Sequence, residues 1–235
     1  MKKVLFLMLT ALMVFSLVAC NASTPATTED TAAQEEVVAE DTTVEVPYIA
    51  VISKGFQHKF WQTVMSGAEA AAADYGVEIT FDGPPSESDI SVQVDMVNAA
   101  LAKNPAALCL AALDTESLNE QLNTCLEKGI PVIGFDSGVP NAPEGSIVST
   151  ASTDNTAAGA LAAETMYANE GIAAAVAGAS VSAPVVISVI SQDATSASIT
   201  GRTDGFVAKM FELCDAAQPG LVAVVFDQHT RVGQR

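Results

Sequence analysis

Positive charge is what this chain has least of. Ten Lys and Arg stand against 28 Asp and Glu in 235 residues, a formal charge of −18. That excludes a nucleic-acid partner. Phosphates would repel such a surface, and few basic side chains are present to release counterions. Histidine is also scarce. His58 and His229 are the only two, and no CxxC or paired-His spacing accompanies them, so zinc has no ligand set. No Walker A, GxGxxG after a strand, GxSxG or HExxH occurs. No catalytic residue, metal ligand or cofactor is assigned on this evidence, and the chain is not expected to be an enzyme. Cysteines number four. With Cys20 set aside, Cys109, Cys125 and Cys214 form an odd set, a poor disulfide framework. They lie in apolar strand-like and helical patterns and read as small core residues.

Long hydrophobic runs are limited to one. Val4 to Ala19 is nearly wholly apolar and follows Lys2 and Lys3. It is short for a spanning helix and right for a signal h-region. The run ends Leu17-Val18-Ala19-Cys20, which resembles the bacterial lipobox. The resemblance implies a lipoprotein signal peptide over 1–20, with Cys20 lipidated as the mature N-terminus; the alternative is an anchor helix that stays uncleaved. Residues 21–47 carry seven acids and no base among many Ser, Thr and Ala. Such a segment cannot bury enough surface to order itself, so it reads as a disordered acidic tether.

With 49% apolar residues, the rest of the chain has the material for a globular core. Short apolar runs start near 48, 77, 107 and 130. Helical patterns fill the gaps. One has Trp61, Val64, Met65, Ala68, Ala72 and Tyr75 on one face. The next, capped by Asp89, carries Ile90, Val94, Val97 and Leu101. A third, opened by Thr115 or Ser117, carries Leu118, Leu122 and Leu126. Continuous apolar strands alternating with helices predict a parallel, doubly wound α/β sheet. A short strand at 147–150 follows. The stretch 151–155 is small and polar, a plausible hinge, with Asp154 or Thr153 capping an Ala-rich helical region broken near Gly171. Strands at 185–190 and 221–226 flank a helix striped by Phe206, Met210 and Leu213. The expected division is an N-terminal α/β lobe at 48–150 and a partial C-terminal lobe at 151–235.

Ligands of open parallel sheets sit beyond the carboxyl ends of the strands. Those ends carry Ser53 to His58, Phe60 and Trp61, then Asp82, Asp114, Asp136 and Ser137, then Gln192, Asp193 and Arg202. Carboxylates, amides and one arginine can satisfy several hydroxyls at fixed angles, and aromatic faces can cover the C–H face of a sugar ring.

These residues resemble a family. The block Ala50-Val-Ile-Ser-Lys-Gly-Phe-Gln-His-Lys-Phe-Trp61, with Gly67-Ala68, is similar to the opening of ribose-type periplasmic binding proteins. Gly129 to Ser137 resembles the family's fourth strand and its ligand-binding aspartate. Thr153-Asp154-Asn155 resembles the first crossover between lobes. Gln192 to Ser196 and Gly201 to Phe206 resemble the second-lobe segment bearing an arginine clamp. The resemblance covers about 48–215. It implies the type I periplasmic-binding-protein fold and the role of a substrate-binding lipoprotein that delivers a pentose or hexose to an ABC permease. Such a protein is held on the outer face of the cytoplasmic membrane by its lipid alone. By the same resemblance, Phe60 and Trp61 would stack on the sugar, Gln57 or His58 would be polar neighbours, Asp136 would accept hydroxyls and Arg202 would donate to them. Ser137 stands where ribose binders carry an arginine.

Plainer readings remain open at this stage. Phe60 and Trp61 can be core anchors, Asp136 a turn residue, Asp154 a cap, His58 a helix-start residue, and Arg202 a surface partner of Asp204 or Glu212. Lys54 can be solvated or ligand-facing. A receptor for a sensor system is the alternative function, and an enzyme on a flavodoxin-like sheet a more remote one. The last strand lies nine residues from the end, with no helix to cover it. The expectation is a fragment or frameshifted end that is protease-sensitive after about residue 151, aggregation-prone, and binds monosaccharides weakly or not at all. The apolar faces of 185–190 and 221–226 would be left partly exposed.

Overall fold

Parallel pairing begins at β1 (Tyr48–Ile52), whose five residues alternate between two covered faces. The computed structural model describes residues 45–217 and the backbone of 224–230. The signal segment with Cys20, residues 21–44 of the tether, and the side chains of 221–226 lie outside the described residues. All described residues belong to one compact unit beginning at Val44.

Helix α1 (Lys59–Tyr75) follows β1 and ends at Gly76, whose φ of 64° is the left-handed conformation glycine adopts freely. Then come β2 (Glu78–Asp82), α2 (Ile90–Leu101), β3 (Ala107–Leu110), α3 (Asn119–Lys128), β4 (Val132–Phe135) and β5 (Ile147–Ala151). The five strands pair in the order β2-β1-β3-β4-β5, all parallel. The chain turns back across β1 between β2 and β3, which makes the sheet doubly wound. The core beneath it gathers Ala50, Ile52, Val97, Leu101, Leu108, Leu110, Leu118, Leu122, Cys125 and Val132. Each fully buried Leu here contributes roughly 1.5–3 kcal/mol over its exposed state.

The second lobe has α4 (Asn155–Tyr167), α5 (Glu170–Ala177), β6 (Val185–Ser191), α6 (Ala197–Ala217) and β7 (Val224–Thr230). β6 and β7 pair in parallel as a separate sheet. Ile187, Met210, Cys214, Ala163 and Val176 form its core, with Phe206 packed against it. On the other face of β6, Val186 is 61% exposed and Ile190 68%. The bare face expected at 185–190 is therefore present.

Several local expectations give way to tertiary contacts. Asp89 occupies the N-cap of α2 but makes no side-chain cap bond. Neither Thr115 nor Ser117 opens α3, which starts after Leu118 without a side-chain cap. The Asp114 carboxylate accepts from the Glu116 and Ser117 amides and from the Ser117 hydroxyl, so that hydroxyl is already committed. Desolvation pushes the Asp114 carboxyl up, yet these hydrogen bonds outweigh it and leave the group below the usual carboxylate range. Leu126 is 43% exposed because Cys125 takes the inward position on α3. On α1 Trp61 is buried, while Tyr75 is 83% exposed. The Ala-rich region breaks at Asn169, whose side chain caps α5. Asp154 does cap α4, accepting from the Ala157 amide at 2.9 Å. Burial pushes the Cys109, Cys125 and Cys214 thiols up, which favours inert core thiols over reactive thiolates.

Candidate functional site

The carboxyl ends of the five parallel strands share one rim, where the loops after β1, β2, β3 and β4 meet. A doubly wound sheet opens its crevice between the two strands where the winding reverses, here β1 and β3. In this protein Gln93 of α2 fills that crevice. Its amide Nε2 donates to the Ser53 carbonyl at 3.0 Å and to the Ala111 carbonyl at 2.8 Å. Its Oε1 accepts from the Leu113 amide at 2.9 Å. Gln93 is 1% exposed, so all three bonds form away from water. Past the end of β3, the Ala111 amide still donates to the Ile52 carbonyl of β1 at 2.9 Å, and Gln93 takes up the Ala111 carbonyl and the Leu113 amide.

With the crevice plugged, the chemistry gathers between the two lobes. Lys54, directly after β1, is 4% exposed. Its Nζ lies 3.0 Å from Asp136 Oδ2 at the end of β4 and donates to Ser198 Oγ of α6 at 3.0 Å. Lys54 is thus buried and not solvated; it bridges the lobes. Asp136 sits at φ 56°, a left-handed bend that aspartate tolerates better than most residues. Its Oδ2 is buried and has no well-aligned hydrogen bond among the described residues, so the lysine contact is one of charge. Two more polar contacts cross the gap. The Ser198 amide donates to Ser137 Oγ at 3.2 Å, and Thr195 Oγ1 donates to the Leu113 carbonyl at 2.9 Å. Asp193 holds the loop in front of α6 by accepting from the Thr195 and Ser196 amides and the Ser196 hydroxyl.

The aromatic part of the site is layered. Trp61 is 2% exposed and packs edge-on against Phe60 at 4.8 Å and Phe135 at 6.4 Å. Lys54 Nζ stands 6.0 Å over its ring. Phe60 is 47% exposed and is the open ring of the pair. His58 caps α1, its Nδ1 accepting from the Phe60 amide at 3.2 Å, and both it and Gln57 are exposed at the rim. Arg202, one turn beyond Ser198 on α6, is exposed and donates from Nη2 to Asn155 Oδ1 at 2.7 Å. It pairs with the crossover residue and not with Asp204 or Glu212. Glu212 instead takes Lys209.

The structure therefore brings Phe60, Trp61 and Asp136 into one cluster with Lys54 and Ser198. Gln57 and His58 stand at its edge. Arg202 lines a neighbouring 260 Å³ recess with Gln192 and Phe206. Asp136 and Ser198 also line a 380 Å³ cavity with the crossover residues Ser152 to Thr156. Sequence reasoning missed Gln93 and Ser198. Gln93 could have been found, because it shares the inward face with Ile90 and Val97, where an amide needs a buried reason. Ser198 left no local signal.

Known proteins resemble this chain along most of the described length. A family model described as periplasmic binding protein domain matches residues 49–228. The D-ribose/D-allose-binding protein of Pseudomonas aeruginosa is 30% identical over 96 residues, which span 40% of this chain and 30% of that protein. A solved structure described as an ABC transporter, LacI family transcriptional regulator from Brachyspira murdochii is 42% identical. It has a TM-score of 0.67 and covers 81% of this chain and 59% of that one. An ABC transporter solute binding protein from Agrobacterium vitis, solved with bound D-fucose, is 32% identical with a TM-score of 0.63, over 80% of this chain and 57% of that one. The chain thus spans less than two thirds of the length of each.

Proposed function

This chain belongs to the periplasmic binding protein domain family, and from that premise we propose that it is an extracytoplasmic receptor for a small sugar of the pentose or hexose class. Binding and release is its whole activity, with no bond made or broken. The single observation that carries the reading is the polar and aromatic cluster of Lys54, Phe60, Trp61, Asp136 and Ser198 where the carboxyl rim of the first sheet meets the start of α6. Two relatives, a D-ribose/D-allose-binding protein and a solute binding protein solved with bound D-fucose, support the same ligand class.

In this reading a sugar enters between the lobes and replaces the few polar contacts that cross the gap. Those contacts exchange for water or hydroxyls at small net cost, so a hinge at the 151–155 crossover can open and close. Asp136 accepts ring hydroxyls, and Arg202 donates from the second lobe. Phe60 offers its open face with Trp61 behind it, and Gln57 and His58 edge the entrance. A permease of the ABC class reads the closed form. The lipid anchor is at Cys20.

Two measurements test this. Calorimetric titration of the full chain with D-ribose, D-allose and D-fucose should find a ligand. Asp136→Ala and Arg202→Ala should each weaken it roughly ten- to over a hundred-fold, from the loss of about 1.5–3 kcal/mol per charge-assisted hydrogen bond. Trp61→Ala should cost a comparable amount. Wild-type affinity in all three variants rejects the site. For the anchor, Cys20→Ala should release the protein from the membrane fraction or leave it unprocessed. Unchanged fractionation and gel mobility would count against it.

A further inference from the structure

We propose that Glu87 is a positioning residue of this cleft, holding the Trp61 indole at the angle that sets the aromatic floor. The proposal rests on the sugar reading above and adds a residue that no motif pointed to. Trp61 Nε1 donates to Glu87 Oε1 at 2.8 Å in a part-buried setting. An indole carries one polar atom, and a buried one is normally tied to a partner. The ring and charge contacts of Trp61 are less directional. Phe60 and Phe135 touch it edge-on, and Lys54 lies over its face at 6.0 Å. Such contacts tolerate tilt of the ring. The N–H bond to Glu87 is the directional one, so it decides which edge of the indole faces the cleft.

Glu87 is itself held. It lies in the loop between β2 and α2, and that loop interlocks with the one after β1. A Cβ on Gly83 would fall 2.3 Å from Ser53 Oγ and 2.7 Å from the Gly55 carbonyl oxygen. A Cβ on Gly55 would fall 3.1 Å from Glu87 Cγ and 3.3 Å from both Trp61 Cδ1 and Nε1. The two glycines let the loops approach until carboxylate and indole meet. At its far end the loop runs into α2, which Gln93 fixes to Ser53 and Leu113. Glu87 therefore acts on the cleft through Trp61, and Trp61 through Lys54 and Phe135 on Asp136.

Trp61 is the sole tryptophan, so its emission reports on this one ring. The test uses the full chain and the variants Glu87→Ala, Glu87→Gln and Trp61→Phe. Without sugar, Glu87→Ala should red-shift the emission and raise its quenching by acrylamide. Glu87→Gln, which keeps a carbonyl acceptor, should recover most of both. With D-ribose, D-allose and D-fucose as probes, Glu87→Ala should bind about ten-fold more weakly, the loss of one hydrogen bond to a charged group. In a Trp61→Phe background it should have no further effect, because the donor is gone. Unchanged emission in Glu87→Ala, or a Gln variant that behaves like Ala, overturns the proposal. So does an undiminished Glu87 effect in Trp61→Phe. If none of the sugars binds the wild type, the sugar reading fails, while the hold of Glu87 on Trp61 is still decided by the unliganded spectra.

Discussion

Gly205→Ala should destabilise the second lobe by about 3 kcal/mol or more, although alanine is the better helix former by about 1 kcal/mol. The reason is the crossing of α4 over α6. A Cβ on Gly205 would lie 2.2 Å from the Thr156 carbonyl oxygen, and one on Gly159 would lie 2.0 Å from that of Arg202. Both obstacles are backbone, which cannot swing aside as a side chain can. The helices would have to separate, and the lobe's small core of Met210, Ala163, Val176 and Ile187 would lose contact on both sides. Gly67 is the internal control. It lies mid-helix on α1 with open space around its missing Cβ, so Gly67→Ala should stabilise by about 0.5–1 kcal/mol. Thermal unfolding of both variants decides the matter. A Gly205→Ala protein that melts at or above the wild-type temperature would show that the two helices can separate at no cost. Gly159→Ala should cost a similar amount, and the double variant less than the sum, since one separation relieves both clashes.

The same crossing shows what could be read from sequence and what could not. Gly201 to Phe206 stood out as a motif, and Phe206 and Met210 stood out as an apolar stripe. Nothing in the spacing said that Gly205 lies against the backbone of another helix. Strand positions were legible because buried parallel strands are apolar runs with turn residues between them. The doubly wound parallel sheet followed from that alternation and is present, with five parallel strands in one sheet and two in the other among the described residues; the type I fold was implied by the family resemblance. Caps were half legible. Asp154 caps the start of the helix that follows it, a local event, but the Asp89 carboxylate makes no cap bond and the Ser117 hydroxyl is diverted to Asp114. The site was legible only where residues end a strand. Asp136, Phe60 and Trp61 stood among the residues that follow the strands, and the family resemblance singled them out. Lys54 could not be resolved between water and ligand, because its partner Ser198 is 144 residues away in the chain. A contact at that separation leaves no period in the sequence.

Gln93 gives the other large effect, and it links stability to the cleft. Gln93→Leu keeps the side chain's bulk and removes all three of its hydrogen bonds. The carbonyls of Ser53 and Ala111 and the amide of Leu113 would then be left in a pocket that is 1% accessible at this residue. A buried backbone group without a partner costs about 1–3 kcal/mol. Three of them, partly relieved by loop movement or an entering water, should cost about 3–5 kcal/mol. For a folded body of this size that lowers the melting temperature by roughly 10 °C. Relaxation has a direction. Ser53 precedes Lys54, and the Leu113 carbonyl accepts from Thr195 across the lobes, so loops that move to find water carry two of the three interlobe contacts with them. The Leu variant should therefore lose sugar affinity as well as stability, even far below its melting point. Gln93→Glu separates hydrogen bonding from shape. At neutral pH its carboxylate faces two carbonyl oxygens with no donor to offer, and it should be at least as unstable as the Leu variant. Protonation at low pH supplies one O–H donor, so stability relative to wild type should rise as pH falls through the carboxyl's titration. A Glu variant with a pH-independent deficit, or a Leu variant melting within a degree or two of wild type, would mean that the crevice between β1 and β3 is held shut by packing alone.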